Sequence, residues 1–200
     1  HKGEYISISG PSGCGKSTLL SIMGLLDFAS TGKLYFEGVD VSELSLEQAA
    51  EIRNQKIGFI FQQFNLIDEL SVFDNIALPL KYAKQPISDK LIREKVDQCL
   101  NVVGLSVMAK RKPTQLSGGQ QQCVAIARAL VSEPLILLVD EPTGNLDSIS
   151  SDQIMAMLEA LNKQGTTLCV VTHDIRYAEM AKRKIYLLDG QVLGQTSLNQ

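Results

Sequence analysis

Apolar residues along the chain fall into short dense runs and into stripes spaced three and four apart, which predict strands and helices respectively. Tyr5–Ser9 reads as a buried strand running into a glycine-rich loop, and the apolar stretch Leu19–Leu26 as the helix after it. Residues 32–38, bounded by glycines, and Ile57–Phe61 predict two further strands. From about Asp68 to Leu130 the texture turns helical. Ser71, with Asp74 three residues on, resembles a capping box. Ser88 caps a helix whose stripe runs through Leu91, Ile92, Val96, Cys99, Leu100 and Val103, and Gly104 closes it. Another helix starts near Gly119 and carries Ala125, Ile126, Ala129 and Leu130. Beyond Pro134 the strand pattern returns. Leu135–Asp140 is continuously apolar up to its last residue, as a parallel strand covered on both faces requires. Gln153–Asn162 predicts a helix, Thr167–Val171 a strand, and Ile185–Leu188 a last strand turning at Asp189-Gly190. This order predicts an α/β core, residues 1–67 and 131–200, interrupted by a helical insertion at 68–130.

Composition narrows the partners. The 200 residues are 44% hydrophobic and 20% charged, enough for a sizeable core and unlike a disordered chain. A net charge of −3 offers no basic surface for tracking phosphates, so no nucleic-acid partner is expected. Cys14, Cys99, Cys123 and Cys169 lie too far apart for a zinc or redox motif and read as free thiols in a reducing compartment. The longest dense apolar run, Leu135–Val139, is far short of a membrane span, and no signal-peptide pattern opens the chain. A cytoplasmic protein is expected, reaching a membrane only through a partner.

Candidate chemistry begins at Gly10-Pro11-Ser12-Gly13-Cys14-Gly15-Lys16-Ser17, which fits G-x-x-x-x-G-K-[ST] between a strand and a helix. Its glycines let successive N–H groups face inward as an anion nest, and the helix N-terminus adds its positive end. Lys16 brings a point charge for β- and γ-phosphates, and the Ser17 hydroxyl is a ligand for Mg²⁺. Asp140 and Glu141 end a buried strand, where α/β proteins place ligands. Asp140 suits the Mg²⁺ shell, and Glu141 a general base for water. Leu116-Ser117-Gly118-Gly119-Gln120 leads into a helix and makes a second set of bare N–H groups beside a hydroxyl. Taken alone it is a turn; beside the phosphate loop it is a second half-site for a polyphosphate.

With these residues the chain resembles the nucleotide-binding subunit of ABC transporters over nearly its whole length. Leu116–Gln120 matches the family signature, Gln62 the Q-loop glutamine, Asn145-Leu146-Asp147 the D-loop, and His173 the switch histidine. The fold this implies is a P-loop NTPase, a RecA-like parallel sheet core with an inserted helical subdomain. The resemblance further implies a head-to-tail dimer with two ATPs between subunits. Each ATP lies between Gly10–Thr18 of one copy and Ser117–Gln120 of the other. Lys16 and Mg²⁺ neutralise charge, Glu141 activates water, and His173 contacts the γ-phosphate. Gln62 senses that phosphate and links to Mg²⁺, and Asp147 couples the two sites.

Phe61–Ile67, Asn75–Leu80 and Asp140–Asp147 look like the lipoprotein-releasing and macrolide-efflux ATPases. That class implies a separate permease with a large extracytoplasmic domain, a hydrophobic, lipoprotein or drug cargo, and a peripheral place on the inner face of the membrane. The cell-division ATPase of the same class is also similar, so a mechanical regulator without transport stays open, as does a soluble ATPase of repair or translation. Two departures stand out. Cys123 occupies a position where the family usually has Arg, which puts local ion pairing in question. The family's adenine-stacking aromatic belongs to a strand upstream of the first residue here. Tyr5 does not take that role, lying in the strand that leads directly into the loop; weakened adenine binding and an incomplete first β-layer are therefore expected. Phe64, Leu66, Leu70 and Phe73 read equally as a groove for a membrane-subunit helix and as core packing.

Overall fold

The computed structural model describes residues 1–197. In chain order its first half holds β1 (Tyr5–Ser9), α1 (Lys16–Met23), β2 (Tyr35–Phe36), β3 (Val39–Asp40), α2 (Leu46–Lys56), β4 (Ile57–Ile60), α3 (Val72–Lys81) and α4 (Asp89–Val102). Then come α5 (Gly118–Leu130), β5 (Ile136–Asp140), α6 (Ser148–Lys163), β6 (Thr167–Val171), α7 (Ile175–Ala178), β7 (Arg183–Leu188) and β8 (Gln191–Ser197).

Six strands form one sheet in the order β4-β5-β6-β1-β7-β8, parallel throughout except for antiparallel β8. The sheet is therefore mixed, with a parallel core as expected and an added edge strand. The continuous apolar runs now have their cause. Leu137, Val139, Leu168 and Val170 face one layer, with Ile76, Val96, Leu100 and Val124 from α3, α4 and α5. Leu138, Cys169 and Val171 face the other, with Leu20 of α1 and Ala49 of α2. Alternate residues thus enter opposite cores, and each buried aliphatic side chain contributes roughly 1.5–3 kcal/mol.

Helix ends are set by local chemistry. Ser71, Ser88 and Ser117 cap α3, α4 and α5, each accepting a backbone N–H three residues on. At Ser71 the partnership with Asp74 is hydroxyl to carboxylate, 2.6 Å, in addition to the backbone bond. Asn75, fully buried in α3, holds the segment before it. Its Oδ1 accepts from Ile67 N at 2.8 Å, and its Nδ2 donates to the carbonyls of Ile67 and Ser71 at 3.0 Å.

Several elements differ from the sequence expectation. The strand at 32–38 is half of a hairpin, with Glu37 (φ 50°) and Gly38 (φ 80°) making the tight turn between β2 and β3. Helix α2 has no apolar stripe strong enough to announce it; its signal is the Ser45–Gln48 capping box. Helix α1 starts at Lys16, three residues earlier than its apolar stretch, and α6 starts at Ser148 behind an Asp147 cap. β8 and the single-turn α7 were not expected. All four cysteines are free thiols.

Asn75→Ala should cost about 1–2 kcal/mol, because it removes the side-chain bonds to the Ile67 N–H and carbonyl that tie the preceding segment to α3. Urea unfolding of the variant against its parent measures this directly, and an unchanged midpoint would show that the segment is held by something else.

Candidate active site

Parallel pairing brings three strand ends level. Ile8 of β1 stands opposite Val171 of β6, and Val171 opposite Asp140 of β5. The segments leaving these strands therefore share one edge of the sheet: the loop 10–18, the Asp140–Glu141 pair and the turn Thr172–Asp174.

The loop curls around its own ammonium. Lys16, only 9% exposed, donates from Nζ to the carbonyl oxygens of Gly10 at 2.9 Å and Pro11 at 2.8 Å. Pro11, Ser12 and Gly13 lie exposed at its crest, and Ser17 and Thr18 are exposed in the first turn of α1. That turn ends in N–H groups without intrahelical acceptors, the positive end of the helix. Gly10 has to be glycine. Its φ is 154°, and a methyl there would stand 2.1 Å from the Leu187 carbonyl oxygen. Cys14 is buried, and its carbonyl accepts from Gly190 N at 3.0 Å, so the β7–β8 turn braces the loop from outside.

Asp140 is held above the usual carboxylate range, chiefly by burial and further by Glu141, against the Ser17 hydroxyl bond and the Lys16 charge. One of its oxygens, Oδ1, is buried without a hydrogen-bond partner. An orphaned carboxylate oxygen beside a serine hydroxyl suits a hard divalent cation shared with phosphates.

Glu141 adopts φ 45°, an uncommon conformation for a residue with a side chain. Its N–H donates to Val171 O at 3.0 Å and its carbonyl accepts from Gly144 N at 3.1 Å, which together fix it there. Its Oε2 lies 2.7 Å from His173 Nδ1. The strained backbone thus aims the carboxylate across the strand ends onto the histidine.

The other predicted residues gather on a second line. Gln62 is exposed, and its side chain lies against Gly144 while its carbonyl accepts from Asn145 Nδ2 at 2.9 Å. Asp147 caps α6 by accepting from Ser150 N and Oγ, and these bonds hold its carboxyl below the ordinary range. Ser117 and Gln120 are paired in a reciprocal capping box, and Gly118 and Gly119 approach Leu146 and Ser150. The signature turn is therefore packed against the Asn145–Ser150 segment of its own chain. Arg128 was not singled out from the sequence, nor was the bracing role of the Asp189-Gly190 turn. Arg128 reaches back to the carbonyls of Phe64 and Asn65, and Gly190 to Cys14, across separations that no spacing rule detects.

Two other expectations are resolved by packing. Leu66 and Phe73 pack onto the core around α3–α5, and Phe64 and Leu70 are half-buried. An apolar concavity of about 710 Å³ is bordered instead by Leu26, Phe59, Phe61, Leu78, Pro79 and Tyr82, with the Phe59 and Phe61 rings stacked at 5.1 Å. Cys123 sits half-buried against the same core, and burial pushes its thiol up to about 11.

Comparison with known proteins agrees with this geometry. The family model described as ABC transporter matches residues 1–144. The ABC transporter ATP-binding protein MJ0796 of Methanocaldococcus jannaschii is 49% identical, over 96% of this chain and 83% of its own. The lipoprotein-releasing system ATP-binding protein LolD of Aquifex aeolicus is 44% identical over 97% of this chain and 86% of its own. The macrolide export ATP-binding/permease protein MacB of Syntrophobacter fumaroxidans is 44% identical over 95% of this chain, which spans only 27% of that longer relative. A dimeric post-hydrolysis structure of MJ0796 bound to ADP and Pi superposes with a TM-score of 0.90, at 45% identity, covering 100% of this chain and 88% of that one.

A buried acid with a raised folded pKa costs stability at pH values above it, and the cost fades as pH falls from the folded value to the unfolded one. Asp140→Asn should therefore melt at a higher temperature than the parent at neutral pH. The gain should shrink as pH is lowered toward the ordinary 3.8. A lower melting temperature at neutral pH would refute the account of Asp140 as a carboxylate held at a cost.

Proposed function

The chain belongs to the ABC transporter family, and from that premise we propose that it is the ATP-binding and ATP-hydrolysing subunit of a membrane complex that exports or extracts a hydrophobic, lipoprotein or drug cargo. The observation that carries the reading is the Glu141–His173 pair, 2.7 Å apart, at the edge of the sheet shared with the phosphate loop.

The triphosphate lies over the crest of the loop 10–18, where the N–H groups of the loop and of the first turn of α1 accept its charge. Lys16 turns from the carbonyls of Gly10 and Pro11 to phosphate oxygens. Asp140 and Ser17, with Gln62 completing the set, would hold Mg²⁺, which would supply positive charge against the phosphates. Glu141 orients a water and takes its proton as the water oxygen attacks the γ-phosphorus. The bond from that phosphorus to the bridging oxygen breaks, giving ADP and phosphate. His173 keeps the Glu141 carboxylate aimed and meets the γ-phosphate.

A second copy supplies the other half of each site. Ser117–Gln120 of one copy faces Gly10–Thr18 of the other, with Asp147 at the contact. The dimeric assembly of the MJ0796 structure supports this reading. Residues 68–130 act as the unit that turns against 1–67 and 131–200. The concavity beside Phe61, one residue before Gln62, is suited to a helix of the permease, so that γ-phosphate sensing at Gln62 reaches the membrane partner. That partner carries the large extracytoplasmic domain and the cargo specificity, and it holds this subunit on the inner face of the membrane. Macrolide-export relatives join ATP-binding and permease parts under one name, which supports a permease partner here.

Glu141→Gln should retain ATP binding, lose at least about a hundredfold in turnover, and accumulate as an ATP-dependent dimer. Phosphate release and sedimentation in ATP measure both effects, and parental turnover in the variant would remove Glu141 from the chemistry. Affinity purification from membranes should bring down an integral membrane protein; recovery of soluble partners alone would end the transport reading.

A further inference from the structure

His173 is 72% exposed, so packing cannot aim its imidazole; the backbone that carries it must. That backbone continues into α7, a single turn of four residues, too short to be stable alone. Several contacts hold it. Fully buried Ser7 of β1 donates from Oγ to Ala178 O at 3.0 Å. Asp174 caps the turn by accepting from Arg176 N at 2.9 Å, and its carboxylate pairs with the Arg176 guanidinium at 2.7 Å. Tyr177, 6% exposed, leaves the turn altogether and donates its phenol O–H to Asp152 Oδ1 on α6 at 2.8 Å. The Arg176 guanidinium lies 5.0 Å from the centre of the Tyr177 ring and closes over the connection.

The destination matters. Asp147 caps α6, and Asp152 stands in that helix's first two turns, just beyond the Asn145–Asp147 segment that bonds Gln62 and packs against the signature turn. We propose that the Tyr177–Asp152 hydrogen bond is a positioning strap, tying the turn that carries His173 to the helix that carries the Asn145–Asp147 segment. With the strap in place the histidine keeps its register on Glu141, and the two segments move together. Burial, and then Asp152, keep the phenol above its ordinary pKa, so the donor persists through neutral pH. The inference rests on the reading of Glu141 and His173 as ATPase machinery, since its kinetic consequence passes through them.

Tyr177→Phe keeps the ring and removes only the donor. Its kcat for ATP should fall roughly tenfold, with KM moving less than about twofold. Asp152→Ala, at an exposed position that folding tolerates, should match it, and the double variant should be no worse than either. Asp152→Asn, which retains an accepting oxygen, should keep most of the parental rate. Hydrogen exchange is read on the same proteins: residues 145–152 and 172–178 should both exchange faster in Tyr177→Phe. Parental kcat in Tyr177→Phe, additive losses in the double variant, or unchanged exchange in either segment overturns the strap. If the parent itself does not hydrolyse ATP, the enzymatic reading fails, and the exchange measurement alone still decides whether the strap exists.

Discussion

Parallel hydrogen bonding sets Val171 between Ile8 and Asp140, and that register decides what stands beside the phosphate loop. A slip of one residue in β5 would exchange Leu138 with Val139 between the two cores and turn every side chain of the strand to the other face. Both cores are apolar at these positions, so the register is held by backbone pairing and by the fit of Leu against Val in each core rather than by an alternation of apolar and polar faces. Certainty of register at the strand ends is what lets a carboxylate and an imidazole from distant parts of the chain meet within hydrogen-bonding distance.

Energy released in those cores is partly spent at the edge. Glu141 sits at φ 45°, a conformation that costs on the order of 1–3 kcal/mol, and Lys16 is buried with its ammonium bonded to two carbonyls of its own loop. Asp140 keeps an oxygen with no partner. Three adjacent groups, each less comfortable than an ordinary residue, mark the edge as shaped for a ligand rather than for stability.

Much of this was legible in the residue order because it is local. The loop 10–17 announces itself by spacing, the strands by continuous apolar runs, and the caps at Ser71, Ser88 and Ser117 by residue type. What escaped is either weakly patterned or long-range. Helix α2 is polar on most of its surface, and β8 is exposed over Gln191–Gly194, so neither carries a strong period. The turn at Glu37-Gly38 ends the expected strand and folds the chain back so that Val39–Asp40 pairs with it as a hairpin. Leu66 and Phe73 look, by type, as fit for a groove as for a core, and only the packing of α3–α5 assigns them. At Cys123, whose lost charge raised the question of ion pairing, the thiol rests against apolar side chains. The brace from Gly190 to Cys14 and the bond from Tyr177 to Asp152 join residues whose proximity only the folded chain creates.

Reverse turns between edge strands are usually where a lineage tolerates insertions, because they face solvent and contact little. The two hairpins of this molecule should differ in that respect. Glu37-Gly38 belongs to a small exposed ribbon and is free to drift in length. Asp189-Gly190 joins the last two strands of the sheet, yet its glycine N–H is bonded to the carbonyl of Cys14, and Leu187 just before it closes on Gly10. Lengthening that turn would loosen the nucleotide loop from behind. Among descendants of this sequence, loop-length variation should accumulate at the first hairpin and be purged at the second, although both lie on the surface.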